Sequence, residues 1–270
     1  MRIAVITPTR GRPGNAIALS HVLDRLSSGQ HEIVHYISCD DDEPPLIMEC
    51  YPSIARQVRN PRADSLGEAW NAPFKVMDEY DVCTLIGDDV MPLQPKWDEG
   101  IAWLAGKYEV SAWRETIYPD AATYPIMTKR FVDALDGKPY TAWFPYWFDD
   151  PWLNEVVTFA FGIGIPIVSD LQLYSREHGQ TQGMRDLGFW VDFFINTRDM
   201  RILWGHELAR VYGKPKIDPA SAIAFFEEMD KMWPDRIPHI ERTHNANRGE
   251  PSARYLRAKE KAERWMTCAA

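Results

Sequence analysis

"DVCTLIGDDV", residues 81–90, is an apolar, partly β-branched run that closes on two adjacent carboxylates. The run suits a buried strand, and Asp88 and Asp89 stand at its end. Nothing in a packed core needs two acids side by side. In contact they repel, so either a cation lies against them or water solvates both. Whether the pair is a cation site or a capped, solvated turn depends on what neighbouring segments bring to the same edge.

Those segments alternate. "RIAVITP" (2–8) reads as a strand and "GNAIALSHVLDRLSSG" (14–29) as a helix with apolar residues at helical spacing, closed by Gly29. "HEIVHYIS" (31–38) and "ARQVRN" (55–60) read as the second and third strands. "DSLGEAWNAPFKVMDEY" (64–80) reads as a helix that Pro73 kinks. After the strand at 81–87 come a helix over 95–107 and another strand over 108–115. Such alternation predicts an α/β fold, a mostly parallel central sheet flanked by helices. In these sheets ligands bind beyond the carboxyl ends of the strands. That rule gathers three polar clusters on one rim: "TPTRGRP" after the first strand, "SCDDDEPP" after the second and "GDDV" after the fourth.

The second half is less regular. "PYTAWFPYWFDDPWLNEVVTFAFG" (139–162) is aromatic-rich and turns helical near Pro151, "IPIVSD" and "LQLYS" read as short strands, and residues beyond 187 read as largely helical. Trp143, Phe144, Tyr146, Trp147, Phe148 and Trp152 suit a core or a stacking surface for a sugar or nucleobase.

Composition bounds the rest. The 270 residues, 45% hydrophobic and 26% charged, suit a globular chain. No apolar run reaches the roughly 20 residues of a membrane span. The opening "MRIAVITPTRGRP" starts a strand at once, so no signal peptide is expected, and a cytoplasmic location follows. Four cysteines form no CxxC pair, which argues against zinc. The formal net charge is −9, yet residues 236–270 carry eight Lys and Arg against four Glu. That basic tail suits a solvated helix or an anionic partner. Neither GxGxxG nor GxxxxGK[ST] is present. Arg10 and Arg12 offer guanidinium groups to a diphosphate instead.

The order of these motifs resembles the GT-A fold of nucleotide-sugar glycosyltransferases, near the large family-2-like group, over residues 2–180. The resemblance implies a metal-dependent transferase that moves a hexosyl or pentosyl group from a UDP- or GDP-sugar to an acceptor hydroxyl, with inversion. Residues 1–186 would form the donor-binding and catalytic domain, and 187–270 a helical extension packed on it. "GDD" stands in the Asp-x-Asp position, so Asp89 would hold Mn2+ or Mg2+ and Asp88 would contact ribose or metal. Gly87 departs from the signature at its first position. Asp40 would bind the nucleoside, Pro8, Thr9 and Arg10 would line its pocket, and Gly67 and Asn71 match donor-side positions of the family's helix. His178 falls where many of these enzymes return a histidine to the metal. "FDD" (148–150) stands where an acidic pair opens a helix, with Asp150 as general base and Asp149 next, against a helix-capping reading of both. "QGMRD" (182–186) lacks the Trp of processive synthases, which points away from processive synthesis. The acceptor stays open among glycan, lipid and small molecule, with a modified DNA base reached through the basic tail as a further option. Two other classes remain: a nucleotidyltransferase making nucleotide sugars, which should show a Gly-rich loop ending in Lys, and a non-catalytic nucleotide- or carbohydrate-binding module.

Overall fold

Residues Arg2–Pro8 form β1, which is buried from Ile3 to Thr7. A strand covered on both faces needs no polar alternation, so "IAVIT" is continuous rather than alternating. The computed structural model describes residues 1–145, 148–175, 185–243 and 250–269, with only the backbone of 239–243 and 269. The chain divides into two units, the first made of residues 1–63, 68–139 and 165–178, the second of 64–67, 140–164 and 179–270.

The first unit holds the whole sheet. After β1 come α1 (Pro13–Leu26), β2 (Glu32–Asp40), β3 (Ala55–Asn60) and α2 (Leu66–Asn71), whose first two residues belong to the second unit. Then follow β4 (Val82–Leu85), β5 (Val90–Pro92), α3 (Trp97–Ala105), β6 (Val110–Glu115), β7 (Pro125–Thr128) and α4 (Lys129–Ala134). The last strand, β8 (Ile167–Ser175), returns after α5 (Asp149–Phe161) of the second unit. The eight strands order as β3-β2-β1-β4-β7-β6-β8-β5. β3, β2, β1 and β4 run parallel, so their carboxyl ends share one edge. β7 is antiparallel to both β4 and β6, and β5 is antiparallel to β8, which makes the sheet mixed beyond β4. "IPIVSD" and "LQLYS" belong to one strand, β8, with a register shift against β6 between Trp113 and Arg114.

Helices α1 and α3 pack onto the sheet through one apolar cluster. Leu19 and Leu23 of α1 and Trp97, Ile101 and Leu104 of α3 share one buried cluster with Ile3 and Val5 of β1, Val82, Trp113 and Leu171. Both tryptophans satisfy their ring N–H: Trp97 donates to Leu23 O at 3.0 Å and Trp113 to Thr84 Oγ1 at 2.8 Å. Pro73 does not kink a long helix. α2 stops at Asn71 and a 3-10 turn covers Ala72–Lys75, because proline offers no N–H to carry an α-helix on.

His35 of β2 is fully buried between Ser20 Oγ, 2.8 Å from Nδ1, and Thr7 Oγ1, 2.9 Å from Nε2. Burial lowers its pKa to about 3, so the ring stays neutral.

The second unit is helical among the described residues: α5, α6 (Leu187–Asn196), α7 (Arg198–Val211), α8 (Pro219–Asp230), α9 (Met232–Thr243) and α10 (Ala253–Ala269). Its core is aromatic. Phe144, Phe148, Trp152, Trp190, Phe193 and Phe194 are buried and meet with ring centroids 5.3–6.2 Å apart, the range for tilted and edge contacts. The aromatic run seen in the sequence is therefore mostly core: Phe144, Phe148 and Trp152 are buried, Trp143 packs on Phe193 and Trp265, and Tyr146 and Trp147 lie outside the described residues.

Inside that core, Arg201 of α7 is fully buried. It pairs with Glu155 of α5 and with Asp230 of α8 at 2.8 Å, donates to Phe194 O at 3.1 Å, and lies over the Phe194 ring. One guanidinium thus joins three helices and neutralises acids that have no water.

Two predictions follow from these buried charges. Arg201→Met leaves Glu155 and Asp230 without their shared partner and should cost about 3–5 kcal/mol in urea unfolding. Arg198→Met, which removes a partly exposed partner of Asp230, should cost about 1 kcal/mol. For His35, the unfolded ring takes up a proton near pH 6.5 that the folded one refuses. Its stabilisation is full above pH 6.5 and is lost as pH falls toward 3. The pH dependence of unfolding should therefore be flatter in His35→Gln over that window; an unchanged slope would contradict the assignment.

Candidate functional site

The parallel strands β2, β1 and β4 deliver three loops to one edge of the first unit. Thr9 extends β1 by one hydrogen bond, its N–H donating to Ser38 O at 2.9 Å, and Gly11 then turns the chain with φ 65°. Proline at residue 13 starts α1. The short turn thereby places Thr9, Arg10 and Arg12 beside the ends of β2 and β4.

On the β2 side, Asp40 is nearly buried. One carboxylate oxygen accepts from the Ala63 N–H at 3.2 Å and the other pairs with Arg10. Arg10 also donates to both oxygens of Asp42, at 2.9 and 3.1 Å, and Arg62 reaches Asp42 at 3.2 Å. These hydrogen bonds raise the Arg10 pKa and lower that of Asp42. Arg10 is thus held by two carboxylates with aligned bonds. Pro8 is half-buried and registers with Ser38 of β2.

On the β4 side, Asp88 is 1% exposed. Its Oδ2 accepts from Thr9 Oγ1 at 2.7 Å. Its Oδ1 has an Arg12 guanidinium nitrogen at 2.7 Å, but no N–H is aligned on it, so this oxygen has an ion pair without a directed hydrogen bond. The same guanidinium stands 3.5 Å from Asp89 Oδ2. A cation does lie against the two acids, and it is Arg12. Burial pushes the Asp88 carboxyl up to about 6, the Thr9 bond and Arg12 charge oppose this, and Asp89 adds to it.

Gly87 has a steric reason. A Cβ there would stand 2.8 Å from Asp89 Oδ1 and 3.5 Å from the Tyr124 hydroxyl. Asp89 folds back over position 87, so a side chain in the first signature position would require the Asp89 carboxylate to move.

Asn71 is buried on α2, and Ser38 of β2 donates to Ala69 O of the same helix at 3.1 Å. Among the described residues no three His, Cys, Asp or Glu side chains form a metal cluster. Asp88 and Asp89 nevertheless offer hard oxygen donors, one of them short of a directed hydrogen bond. That suits a divalent cation completed by phosphate oxygens, as Mg2+ sites commonly are. His178 lies outside the described residues.

In the second unit, α5 opens with Asp149 and Asp150 after Phe148, whose φ is 69° although it is buried and carries no glycine freedom. Asp149 is 3% exposed, accepts from Thr141 Oγ1 at 3.2 Å, and its Oδ2 is buried without a hydrogen bond. Burial first, then the Asp150 charge, push its pKa well above the carboxylate range. Asp150 is half-buried and has the Tyr140 hydroxyl 3.4 Å from Oδ1. Environment separates the two acids: Asp149 is buried, and Asp150 is half-buried.

Gly67 belongs to this second group. A Cβ would fall 1.7 Å from the Thr141 carbonyl oxygen, so glycine here lets the backbone approach the residue that holds Asp149. Sequence reading missed Thr141 and Tyr140 as partners of the acidic pair, and nothing in "YTAWF" marks them. It also missed Arg12 as the counter-ion of Asp88, since an arginine in a turn does not name its partner.

The two glycines should respond differently to a methyl group. Gly67→Ala meets backbone and should cost about 1–3 kcal/mol in denaturant unfolding, the scale of overpacking. Gly87→Ala meets only the end of the Asp89 side chain and should cost less than about 1 kcal/mol. Equal costs would contradict the contacts described.

No protein-family model matches the sequence, and neither does any curated protein. Solved structures do match in fold. Residues 1–349 of S. aureus TarS in complex with UDP-GlcNAc align with a TM-score of 0.56 at 13% identity, covering 84% of this chain and 71% of that one. A mannosyltransferase from Pyrobaculum calidifontis in complex with GDP-Man and Mn2+ aligns with a TM-score of 0.51 at 13% identity, over 99% of this chain and 83% of that one. The fold of this chain is the GT-A fold of nucleotide-sugar glycosyltransferases.

Proposed function

We propose that this chain is a metal-dependent glycosyltransferase, moving a hexosyl or pentosyl group from a UDP- or GDP-sugar to an acceptor hydroxyl with inversion. The observation that carries this is the linked set of charges at the carboxyl ends of β2, β1 and β4: Arg10 with Asp40, and Arg12 with Asp88 and Asp89. On a GT-A sheet that edge is where a nucleotide would lie. The solved relatives in fold, held with UDP-GlcNAc and with GDP-Man and Mn2+, support the same class.

In this reading Asp40, Pro8 and Thr9 receive the nucleoside, and Arg10 and Arg12 face the diphosphate. Asp88 and Asp89, with His178, would hold Mn2+ or Mg2+. Bound there, the cation would neutralise charge developing on the leaving diphosphate. Asn71 and Gly67 lie on the donor-side helix. Asp150 takes the proton of the attacking hydroxyl, because it is the less buried member of the pair, whereas burial pushes the Asp149 carboxyl well up. Asp149 positions the start of α5. All of these residues fall within 1–186, which we read as the catalytic part, with 187–270 as a helical extension.

Other readings have less support. A nucleotidyltransferase would need a Gly-rich loop ending in Lys after β1, where this chain has "TPTRGRPGN". A binding module has no use for a buried acid whose carboxyl is pushed well above the carboxylate range at the start of α5. A nucleic-acid acceptor would need free cations on the basic tail, yet four of those on α10 are engaged within the second unit. Arg254 donates to Asp64 O and Pro145 O, Arg257 pairs with Asp64, Lys259 with Asp186, and Lys261 bonds Ala142 O. These engaged cations favour a glycan, lipid or small-molecule hydroxyl as acceptor over a modified DNA base. No helix among the described residues is long and apolar enough to cross a membrane. Four cysteines without disulfides support a reducing, cytoplasmic setting.

The decisive assay is thermal stabilisation by UDP and GDP, with and without Mn2+. Saturating nucleotide at about 100 times Kd adds about 2.7 kcal/mol, or about 5 °C for a chain of this size. EDTA, or Asp89→Asn, should remove most of that rise; an undiminished rise would contradict the metal assignment. For the base, Asp150→Asn keeps size and capping ability. It should bind donor normally while transfer falls about 100-fold or more. Near-normal transfer would leave Asp150 a helix cap only.

A further inference from the structure

Two arginines stand in the same four-residue turn, and their surroundings differ. Arg10 is fastened to Asp40 and to both oxygens of Asp42 through aligned hydrogen bonds. Arg12 bridges Asp88 and Asp89 at 2.7 and 3.5 Å, with no directed bond to the buried Asp88 oxygen. Its side chain is 40% exposed, against 1% for that of Asp88. Gly11 precedes it at φ 65°, and the nearest group within 4 Å of a Cβ at that glycine is Glu43 Oε1 at 3.9 Å. The two side chains are equally exposed, yet one guanidinium is held by aligned hydrogen bonds and the other touches its partners through charge alone.

The position Arg12 occupies is the one that the proposed function gives to a divalent cation. Asp88 and Asp89 cannot both be approached by a guanidinium and by a metal from the same side. Each positive group therefore excludes the other. A nucleoside diphosphate changes the balance, because its phosphate oxygens offer Arg12 a bidentate partner of higher charge than one carboxylate.

We infer that Arg12 is an exchangeable counter-ion: it holds the Asp88–Asp89 pair in the free protein, and a donor diphosphate draws it away and opens the pair to a divalent cation. This rests on the proposed metal and nucleotide assignment. It adds that metal alone binds weakly, that nucleotide and metal bind with positive coupling, and that the coupling passes through this one side chain. By linkage the coupling is reciprocal, so metal tightens nucleotide by the same factor. Arg12 is a positioning residue in this exchange, since it acts on the cation through the carboxylates.

The test is Mn2+ affinity, read from the EPR signal of free Mn2+, without nucleotide and with saturating UDP or GDP. The wild type should bind Mn2+ weakly alone and tighten with one of the two nucleotides, within the roughly 5–150-fold range of such couplings. Arg12→Met should bind Mn2+ alone about tenfold tighter than the wild type, with most of the nucleotide effect gone. Arg12→Gln, which keeps polarity in the turn, should behave alike and serves if the Met variant does not fold. Affinity for Mn2+ alone that matches the wild type in a folded Arg12 variant would overturn the exchange. If the wild type takes up no Mn2+ even with nucleotide while the variant does, Arg12 is a permanent substitute for the cation, and the exchange again fails. Absence of Mn2+ and Mg2+ binding in every protein, with UDP and with GDP, would instead sink the metal assignment on which the inference stands.

Discussion

Two like charges at the end of a buried strand need a positive partner, and the first unit is arranged around that need. Asp88 has almost no contact with water, so solvation cannot separate it from Asp89. The turn after β1 resolves the conflict. Thr9 bonds one oxygen of Asp88, Gly11 reverses the chain, and Arg12 reaches back to both acids. Gly87 keeps the β4 end slim enough for Asp89 to fold over it. A stable arrangement would bond every buried oxygen, and one Asp88 oxygen is short of a directed bond. Imperfect satisfaction of a buried acid is what a site awaiting another cation would show.

The second unit solves a related problem in the opposite way. Asp149 and Asp150 are also adjacent, and here the Arg254 charge opposes the effect of burial on Asp149. Burial raises the pKa of Asp149, while Asp150 is half-buried and accepts from the Tyr140 hydroxyl. The aromatic core and the Glu155–Arg201–Asp230 network hold α5, α7 and α8 together, so the acidic pair opens a helix anchored along its length.

Much of the sheet was legible because buried strands carry a plain signature. "RIAVITP", "HEIVHYIS" and "ARQVRN" became β1, β2 and β3, and the acids fell at strand ends as expected. Short antiparallel strands were not legible. β7 has four residues, starts on proline and pairs both with β6, just before it, and with the more distant β4. β5 has three residues and pairs with β8, some 80 positions on. The helix expected over 64–80 stopped early, as Pro73 allowed. In the site, acidic positions could be found from strand ends alone. Their partners could not, because Arg12 and Arg10 are two residues apart and only folding shows that one serves β4 and the other β2.

The central claim is that the Asp88–Asp89 edge is the seat of a cation and a nucleoside diphosphate. It is tested most directly by anomalous diffraction at the manganese edge from crystals grown with Mn2+ and UDP or GDP. The expected result is one strong anomalous peak at the Asp88–Asp89 pair, with diphosphate density beside it and the Arg12 side chain moved off the two carboxylates. A nucleotide bound at another edge of the sheet, or a Mn2+ peak away from these acids while Arg12 still bridges them, would contradict it.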